Sequence, residues 1–306
     1  MTSTSPIAPR SVRLGGTAVR RAPARALVFA IGVALLAATA GVTAPRAAAQ
    51  EVQVTGPLAG APAVRHMREY RLRRVQLQPF FGTTLRNEYS RALLFGLQAH
   101  YGITDWLGVG VVGAWGGVHL DTDLTRDIKH LGVTSERNRL SLPQREKFAK
   151  QIGEIQWFAA AQVDFAPLRG KIAAFQKLFV DTDLFLFGGV ALVGLEERAN
   201  VARADCDAES DPIACLDASQ LARSSRVAVA ATFGAGINLY FTETVGLALE
   251  WRALPFKWNT SGTDESGGPK GTPDDVIDSH DRKRHFNQMM TLGVVVSLPG
   301  HAHISE

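Results

Sequence analysis

Several things are scarce in this chain, and each scarcity removes a class of function. Only two cysteines occur in 306 residues, a poor basis for a metal site on their own. Acidic residues are missing altogether from positions 1–49, which hold six arginines: Arg10, Arg13, Arg20, Arg21, Arg25 and Arg46. The net charge of +4 therefore belongs to that segment. Removing its six positive charges leaves 4 − 6 = −2 for the rest, so the basic balance is no sign of nucleic-acid binding. Mean hydropathy is close to zero, too low for a bundle of membrane helices. Apolar residues still make up 46% of the chain, too many for a disordered one. Strands that alternate lipid-facing with lumen-facing residues produce an average of this kind.

What is present begins with an export pattern. Arg20, Arg21 and Arg25 precede an uncharged, mostly apolar run of nineteen residues, Ala26–Ala44, followed by Ala47 and Ala49 in an A-x-A arrangement before Gln50. Basic, apolar and small residues in that order form a secretory signal peptide, expected over 1–49. A retained transmembrane helix is the other reading, but Ala, Gly and Thr make the run weakly apolar. Residues 50–73 read as an irregular lead-in, residues 74–299 as the folded domain and 300–306 as a tail. In an oxidising compartment Cys206 and Cys215, close together in a polar, turn-rich stretch, are expected to pair.

Past the lead-in, a period of two dominates. In Glu154–Phe165, the residues Ile155, Trp157, Ala159, Ala161, Val163 and Phe165 are expected on one face. Glu154, Gln156, Phe158, Ala160, Gln162 and Asp164 are expected on the other. Val245–Ala253 behaves likewise, with Val245, Leu247, Leu249 and Trp251 opposite Gly246, Ala248, Glu250 and Arg252. Six further segments follow the pattern: Val75–Thr84, Arg91–Tyr101, Leu107–Gly116, Val180–Leu195, Val227–Phe241 and Phe286–Leu298. Each approaches or exceeds the roughly 9–11 residues with which a tilted strand crosses a bilayer. Links after the third, fifth and seventh segments are long (Gly117–Gly153, Glu196–Arg226, Leu254–His285). Those after the second, fourth and sixth are shorter (Gly102–Trp106, Ala166–Phe179, Thr242–Thr244), and only Leu85–Ser90 breaks the alternation. The pattern predicts an all-β fold, an eight-stranded antiparallel transmembrane β-barrel with long extracellular loops and short periplasmic turns.

A soluble sandwich or lipocalin-like barrel would have the same alternation with its faces inverted. Two features favour the membrane. The presumed inner row is rich in Gly, Ala, charge and amide, a poor hydrophobic core. The apolar row carries aromatics near strand ends (Tyr101, Trp106, Phe165, Phe241, Trp251), as interfacial girdles do. Gln98, Glu154, Gln156, Gln162, Asp164, Glu250 and Arg252 are then expected to satisfy one another as a polar network in the lumen, because unpaired buried charge is costly.

Three stretches look familiar: Gly56–Arg65 (GPLAGAPAVR), Tyr101–Leu107 (YGITDWL) and Gly170–Phe179 (GKIAAFQKLF). Across about Gly56–Pro299 the chain resembles the outer-membrane β-barrel domain proteins of myxobacteria and related deltaproteobacteria. The turn Tyr240–Gly246 has a form common to small barrels generally. The resemblance implies an integral outer-membrane protein and transfers no catalytic residue. One departure is the C-terminus: Leu298 is followed by Pro-Gly-His-Ala-His-Ile-Ser-Glu306, not by a final aromatic.

Motifs for chemistry are few. Gly108–Gly113 matches G-x-G-x-x-G but lies within a strand segment with no helix after it, so no dinucleotide site is expected. Asp121-Thr-Asp123 lacks the glycine and glutamate of a calcium loop and reads as solvated loop. His301 and His303 have no third ligand in view, and a flexible tail is expected there. His100 has no Ser or Cys partner for nucleophilic work. Ser141–Lys150 reads as a short helix with proline in its first turn. The expectation is an outer-membrane protein of structural or surface-interaction role without cofactor or catalysis. Its partners would be outer-membrane lipid, the barrel-insertion machinery and an unidentified surface partner, but no nucleic acid. A conduit for small apolar molecules is the alternative, and a lipid-modifying barrel enzyme a lower one. Phe158, Phe185 and Phe187 facing inward would block flow.

Overall fold

The computed structural model describes residues 68–134, 140–174 and 178–304. The expected signal peptide and most of the lead-in, including Gly56–Arg65, lie outside the described residues. Eight long strands carry the fold: β1 (Val75–Leu85), β2 (Ser90–Gly102), β3 (Leu107–Asp121), β4 (Glu154–Ala174), β5 (Leu178–Arg198), β6 (Arg223–Tyr240), β7 (Val245–Trp258) and β8 (Lys283–Leu298). Each pairs antiparallel with its neighbour in sequence, and β8 pairs with both β7 and β1, closing the sheet into a barrel. Closure leaves no unpaired edge, so every strand has its backbone partners within the sheet.

The strands run further than their hydrophobic patterns. β4 and β5 are 21 residues each, and the expected link Ala166–Phe179 is largely strand. Leu168 pairs with Leu184 and Ala174 with Leu178, because the hairpin's backbone continues its ladder after the alternation lapses. On the opposite rim three long connections remain, 122–153, 199–222 and 259–282, beside the four-residue turn 86–89.

Two irregularities change which side chains face in. Between Ile155 and Trp157 the β4–β5 register shifts, so Ile155 turns inward and is buried while Trp157 stays outside. This corrects the expected grouping of both on one face: a bulge adds one residue and inverts parity beyond it. A second shift between Leu93 and Phe95 on the β2–β3 ladder leaves Val118 and Leu120 exposed along with Val109, Val111 and Trp115.

Several expectations about the connections are also corrected. The stretch after Asp121 is not simply loop: Asp123–Leu131 forms helix α1, N-capped by Thr122, whose side chain accepts from the Thr125 amide. The helix expected over Ser141–Lys150 is shorter and later, α2 at Phe148–Gln151, so Pro143 precedes it. Two more short helices, α3 (Arg203–Asp207) and α4 (Pro212–Ser219), flank the disulfide. The tail is not loose, since His303–Ile304 pairs antiparallel with Arg68–Glu69 and supplies that short strand with backbone partners.

Candidate functional site: outer wall, lumen and cap

The outer wall is apolar around the whole circumference. Between the rims, the outward positions are Leu77, Phe81, Leu93, Phe95, Leu97, Val109, Val111, Trp115, Trp157, Val163, Leu186, Val190, Leu192, Val229, Phe233, Leu247, Leu249, Leu292 and Val294, interspersed with Pro79, Gly113, Ala159, Ala161 and Ala231. None of these carries a charge or an amide; the amide on the same row of β8, Gln288, accepts from the indole N–H of Trp251 (3.2 Å). Large side chains stand out in the open, Val229 at 70% and Trp115 at 57% exposure, where water would penalise them by about 25 cal/mol per Å². Aromatics gather at two levels: Tyr101, Trp106, Phe165 and Phe241 at the short-turn end, and Trp115, Trp157, Phe233 and Phe286 higher up. Trp157 and Phe165 are eight residues apart on β4. That separation spans about 26 Å along a strand, or about 20 Å along the axis at the usual tilt, close to the about 25 Å apolar band of a membrane barrel.

The lumen is filled, in layers. At the short-turn mouth the lead-in folds back inside. Tyr70 stacks on Tyr240 with ring centroids 4.2 Å apart, and its hydroxyl donates to Asp181 (2.7 Å). Arg71 makes a two-pronged bond to Asp183 at 2.8 and 3.0 Å, and Tyr240 donates to the same carboxylate at 2.7 Å. Arg74 donates to the carbonyls of Tyr70, Glu243 and Pro299, tying lead-in, turn and C-terminal segment together.

Above this lies a second buried network. Arg252 donates to Glu250 (3.0 Å), Thr232 (2.9 Å) and Gln162 (2.7 Å). Gln162 donates to Asp164 (2.7 Å), and Gln98 to Glu250 (3.0 Å). His100 closes the circuit with Nδ1 2.6 Å from Asp164 and Nε2 3.0 Å from the Gln98 oxygen. The Gln98 amide nitrogen is committed to Glu250, which turns the Gln98 oxygen toward the His100 ring. The guanidinium of Arg252 also lies 4.3 Å from the Phe187 ring centre and 5.8 Å from that of Phe158.

Toward the long-loop rim the lumen becomes dry. Phe80, Leu94, Ile155, Phe158, Val193, Leu195, Leu254, Phe256, Trp258 and Met289 pack as one apolar cluster. This corrects the expectation that Gly, Ala and polar groups dominate the inner face. It also explains why β5 is apolar on both sides: Leu186, Val190 and Leu192 face out while Val193 and Leu195 pack into this layer. Phe158, Phe185 and Phe187 all point inward and are buried.

Of the seven expected network residues, Gln98, Gln162, Asp164, Glu250 and Arg252 meet in the lumen. Glu154 and Gln156 do not join them. They sit at the long-loop rim, where Gln156 donates to Glu154 (3.3 Å) and Glu196 (3.0 Å), and Arg223 donates to Glu154 (3.0 Å). The bulge and the dry layer separate the two groups. Sequence reasoning missed His100, Thr232, Asp183, Asn238 and Tyr240 as lumen groups. Strand parity with Gln98, Ala230 and Phe185 was the available signal.

Over the long-loop rim the connections fold into a cap with its own small core. Leu140, Cys206, Leu216 and Ile277 pack together, drawn from all three long connections. Cys206 and Cys215 form a disulfide, and Val201–Ala202 pairs with Val276–Ile277. Buried Arg198 donates to the Gly262 carbonyl (3.0 Å) and the Ser219 hydroxyl (2.9 Å), and Gln151 donates to the same carbonyl (3.1 Å). Two aspartates act as loop organisers. Asp281 accepts from the amides of Glu265, Ser266 and Asp278. Asp264 accepts from those of Asp274 and Asp275, and burial nonetheless pushes its carboxyl above the usual range. Among the described residues, no group of three or more His, Cys, Asp or Glu could hold a metal ion.

No protein-family model matches the chain, and no curated protein matches it in sequence. Among solved structures it is similar to the N-terminal β-barrel domain of Pseudomonas aeruginosa OprF, at 14% identity over 74% of this chain and 98% of that one, with a TM-score of 0.36. It is also similar to Ail, the attachment invasion locus protein of Yersinia pestis (8% identity, 74% and 97% covered, TM-score 0.32). A third is Neisserial surface protein A (10% identity, 73% and 95% covered, TM-score 0.33). At such identities and scores the comparison carries no functional argument. The closed eight-stranded architecture rests on this chain's own strand pairing.

Proposed function

We propose that the chain is an integral β-barrel protein of a bacterial outer membrane, exported by its leader, whose role is structural or surface-interacting and is carried by the stapled cap. The observation that carries this reading is the uncharged outer wall, wrapped around a lumen that is already full. A soluble barrel buries its apolar row and wets its polar one. Here Trp157, Leu247 and Val294 stand outward while Glu250 and Arg252 are sealed within. Acyl chains are the solvent that suits such a wall, and the resemblance of the lead-in and turns to deltaproteobacterial barrel-domain proteins agrees with that home. Three successive layers across the lumen (the lead-in, the polar network and the dry cluster) argue against a conduit. The cap is then the part that meets the outside, and a partner there is the natural object of its rigidity.

The experiment is membrane fractionation with heat-modifiable gel migration, followed by conductance in a planar bilayer. The expected result is outer-membrane recovery, a mobility shift on boiling and no steady conductance. A chain recovered soluble from the periplasm, with no shift, refutes the membrane reading. Steady open-channel current refutes the sealed-lumen role.

A further inference from the structure

The first helix of the cap has an apolar face on which, among the described residues, Leu124 and Leu131 stand exposed and Ile128 is half-buried. In α1 the residues Leu124, Ile128 and Leu131 recur at spacings of four and three, which puts them on one side of the helix. Leu131 is 83% exposed and Leu124 46%. Arg126 and His130 project from other sides, and Asp127, three residues from Leu124 and four from Leu131, borders the apolar face. Thr125, by contrast, is fully buried, its hydroxyl donating to the Tyr89 carbonyl (2.6 Å). Thr122 also donates to the carbonyls of Glu88 (2.6 Å) and Tyr89 (3.1 Å). The helix is therefore fastened by its first turn to the β1–β2 turn at the rim of the wall, and the fastening leaves the leucine face open.

The strand that leads into the helix carries the apolar outer row up to it. Beyond Trp115 the β2–β3 register shift pairs Leu93 with Val118 and Arg91 with Leu120. Paired residues of an antiparallel ladder project to the same side, so Val118 and Leu120 extend the exposed apolar row toward the helix, at 41% and 50% exposure. Asp121, one residue on, is held by Lys129, which ties the last residue of the strand to the helix. Arg91, exposed and level with Leu120, has a long stem suited to lie on apolar surface while its guanidinium reaches a polar boundary.

We propose that α1 is an interfacial helix lying at the outer-leaflet boundary, with Leu124, Ile128 and Leu131 dipped among acyl chains and its charged sides toward water. A helix that lies in the plane of the interface has this character, with its apolar face about 5–10 Å into the headgroup and acyl boundary. The inference rests on the membrane reading above, and the test separates the two.

The native cysteines are both consumed in the disulfide, so single labels can be introduced. L124C, L131C, V294C and K270C each carry an environment-sensitive fluorophore in the full-length protein, reconstituted in phosphatidylcholine vesicles. Lipids brominated near the headgroup or near the chain end, and aqueous iodide, serve as quenchers. The expected result is strong quenching of positions 124 and 131 by shallow bromines, several-fold weaker quenching by iodide than at exposed Lys270, and quenching of 294 by lipid. Iodide quenching of 124 and 131 equal to that at 270, with 294 still lipid-quenched, overturns the helix proposal and leaves the barrel reading intact. Iodide quenching at 294 as well overturns both.

Discussion

The lumen network makes a quantitative prediction about Arg252. Its side chain is 1% exposed and holds Glu250, Thr232 and Gln162 at once. Arg252→Met keeps much of the volume between Phe158 and Phe187 but withdraws the positive charge. Glu250 is then left with Gln98 as its only partner among those bonds, and the Gln162 oxygen loses its donor. Breaking a buried pair by removing one member typically costs about 3–5 kcal/mol, much of it the uncompensated charge and not the lost bond. Glu250→Gln alone is milder, because Arg252 keeps Thr232 and Gln162. The double variant Arg252→Met/Glu250→Gln removes both charges together, so its cost falls below the sum of the singles by about 2–3 kcal/mol, a coupling typical of groups in direct contact. Urea unfolding from phospholipid vesicles, followed by tryptophan emission, measures all four corners of the cycle, with cold and boiled gel migration confirming that each variant folds. Coupling within about 0.5 kcal/mol of zero, or an Arg252→Met cost below about 1 kcal/mol, would refute the claim that these charges are sealed together away from water.

Other consequences test the wall and the cap. Val294→Arg places a charge on the lipid-facing row and should cost about 2–4 kcal/mol near mid-bilayer in the same vesicle assay; a neutral effect would mean that Val294 meets water. Cys206→Ser removes a cross-link across a separation of nine residues, worth about 2.5 kcal/mol on the chain-entropy account, and the loss should appear as faster amide exchange over 199–222 with the barrel unchanged. Gly262 has φ +65, and an added Cβ would lie 1.9 Å from the Gln151 carbonyl, so Gly262→Ala should loosen the cap to limited proteolysis without altering the heat-modifiable shift. Asp278 is held below the ordinary carboxylate range first by the His280 backbone amide and then by the His280 ring. A depressed folded value stabilises above the unfolded value near 4 and is lost as pH falls through the folded one. Asp278→Asn should therefore weaken cap protection at neutral pH and make no difference in strong acid.

The barrel was legible because period-two alternation is a local signal, repeated eight times and supported by the lengths of the links. Trp157, Val163, Leu247 and Leu249 could be assigned a common face from their spacing alone. Their side of the sheet followed from the poor core the opposite row would make. Local spacing misled at Ile155, where one inserted residue inverts parity and no composition signal marks the bulge. The network was half legible. Polar residues on the inner row must pair, but the partner of His100 is Asp164, 64 residues away, and only the stagger of the closed sheet decides that meeting. Arg71 and Asp183 are farther apart still, joined by a lead-in whose path no periodicity describes. The dry layer near the rim went unrecognised because members such as Leu254, Phe256 and Trp258 lie past Ala253, where the expected segment ended, although the strand and its alternation run on past exposed Lys257.

Two of the buried apolar clusters divide the labour of the molecule. The barrel's cluster lies inside the strands and depends on Phe158, Leu94 and Met289, whereas the cap's cluster is built from Leu140, Cys206, Leu216 and Ile277 and shares no member with it. Among the polar contacts described, strand ends and cap meet through Arg198 at the Gly262 carbonyl and the Ser219 hydroxyl, Arg223 at the Ile152 carbonyl, Arg282 at Glu197 and Lys283 at Glu265. Substitutions in the exposed parts of 199–222 and 259–282 therefore leave the barrel's packing untouched. The covalent link between Cys206 and Cys215 holds the local shape of the cap when exposed side chains around it change.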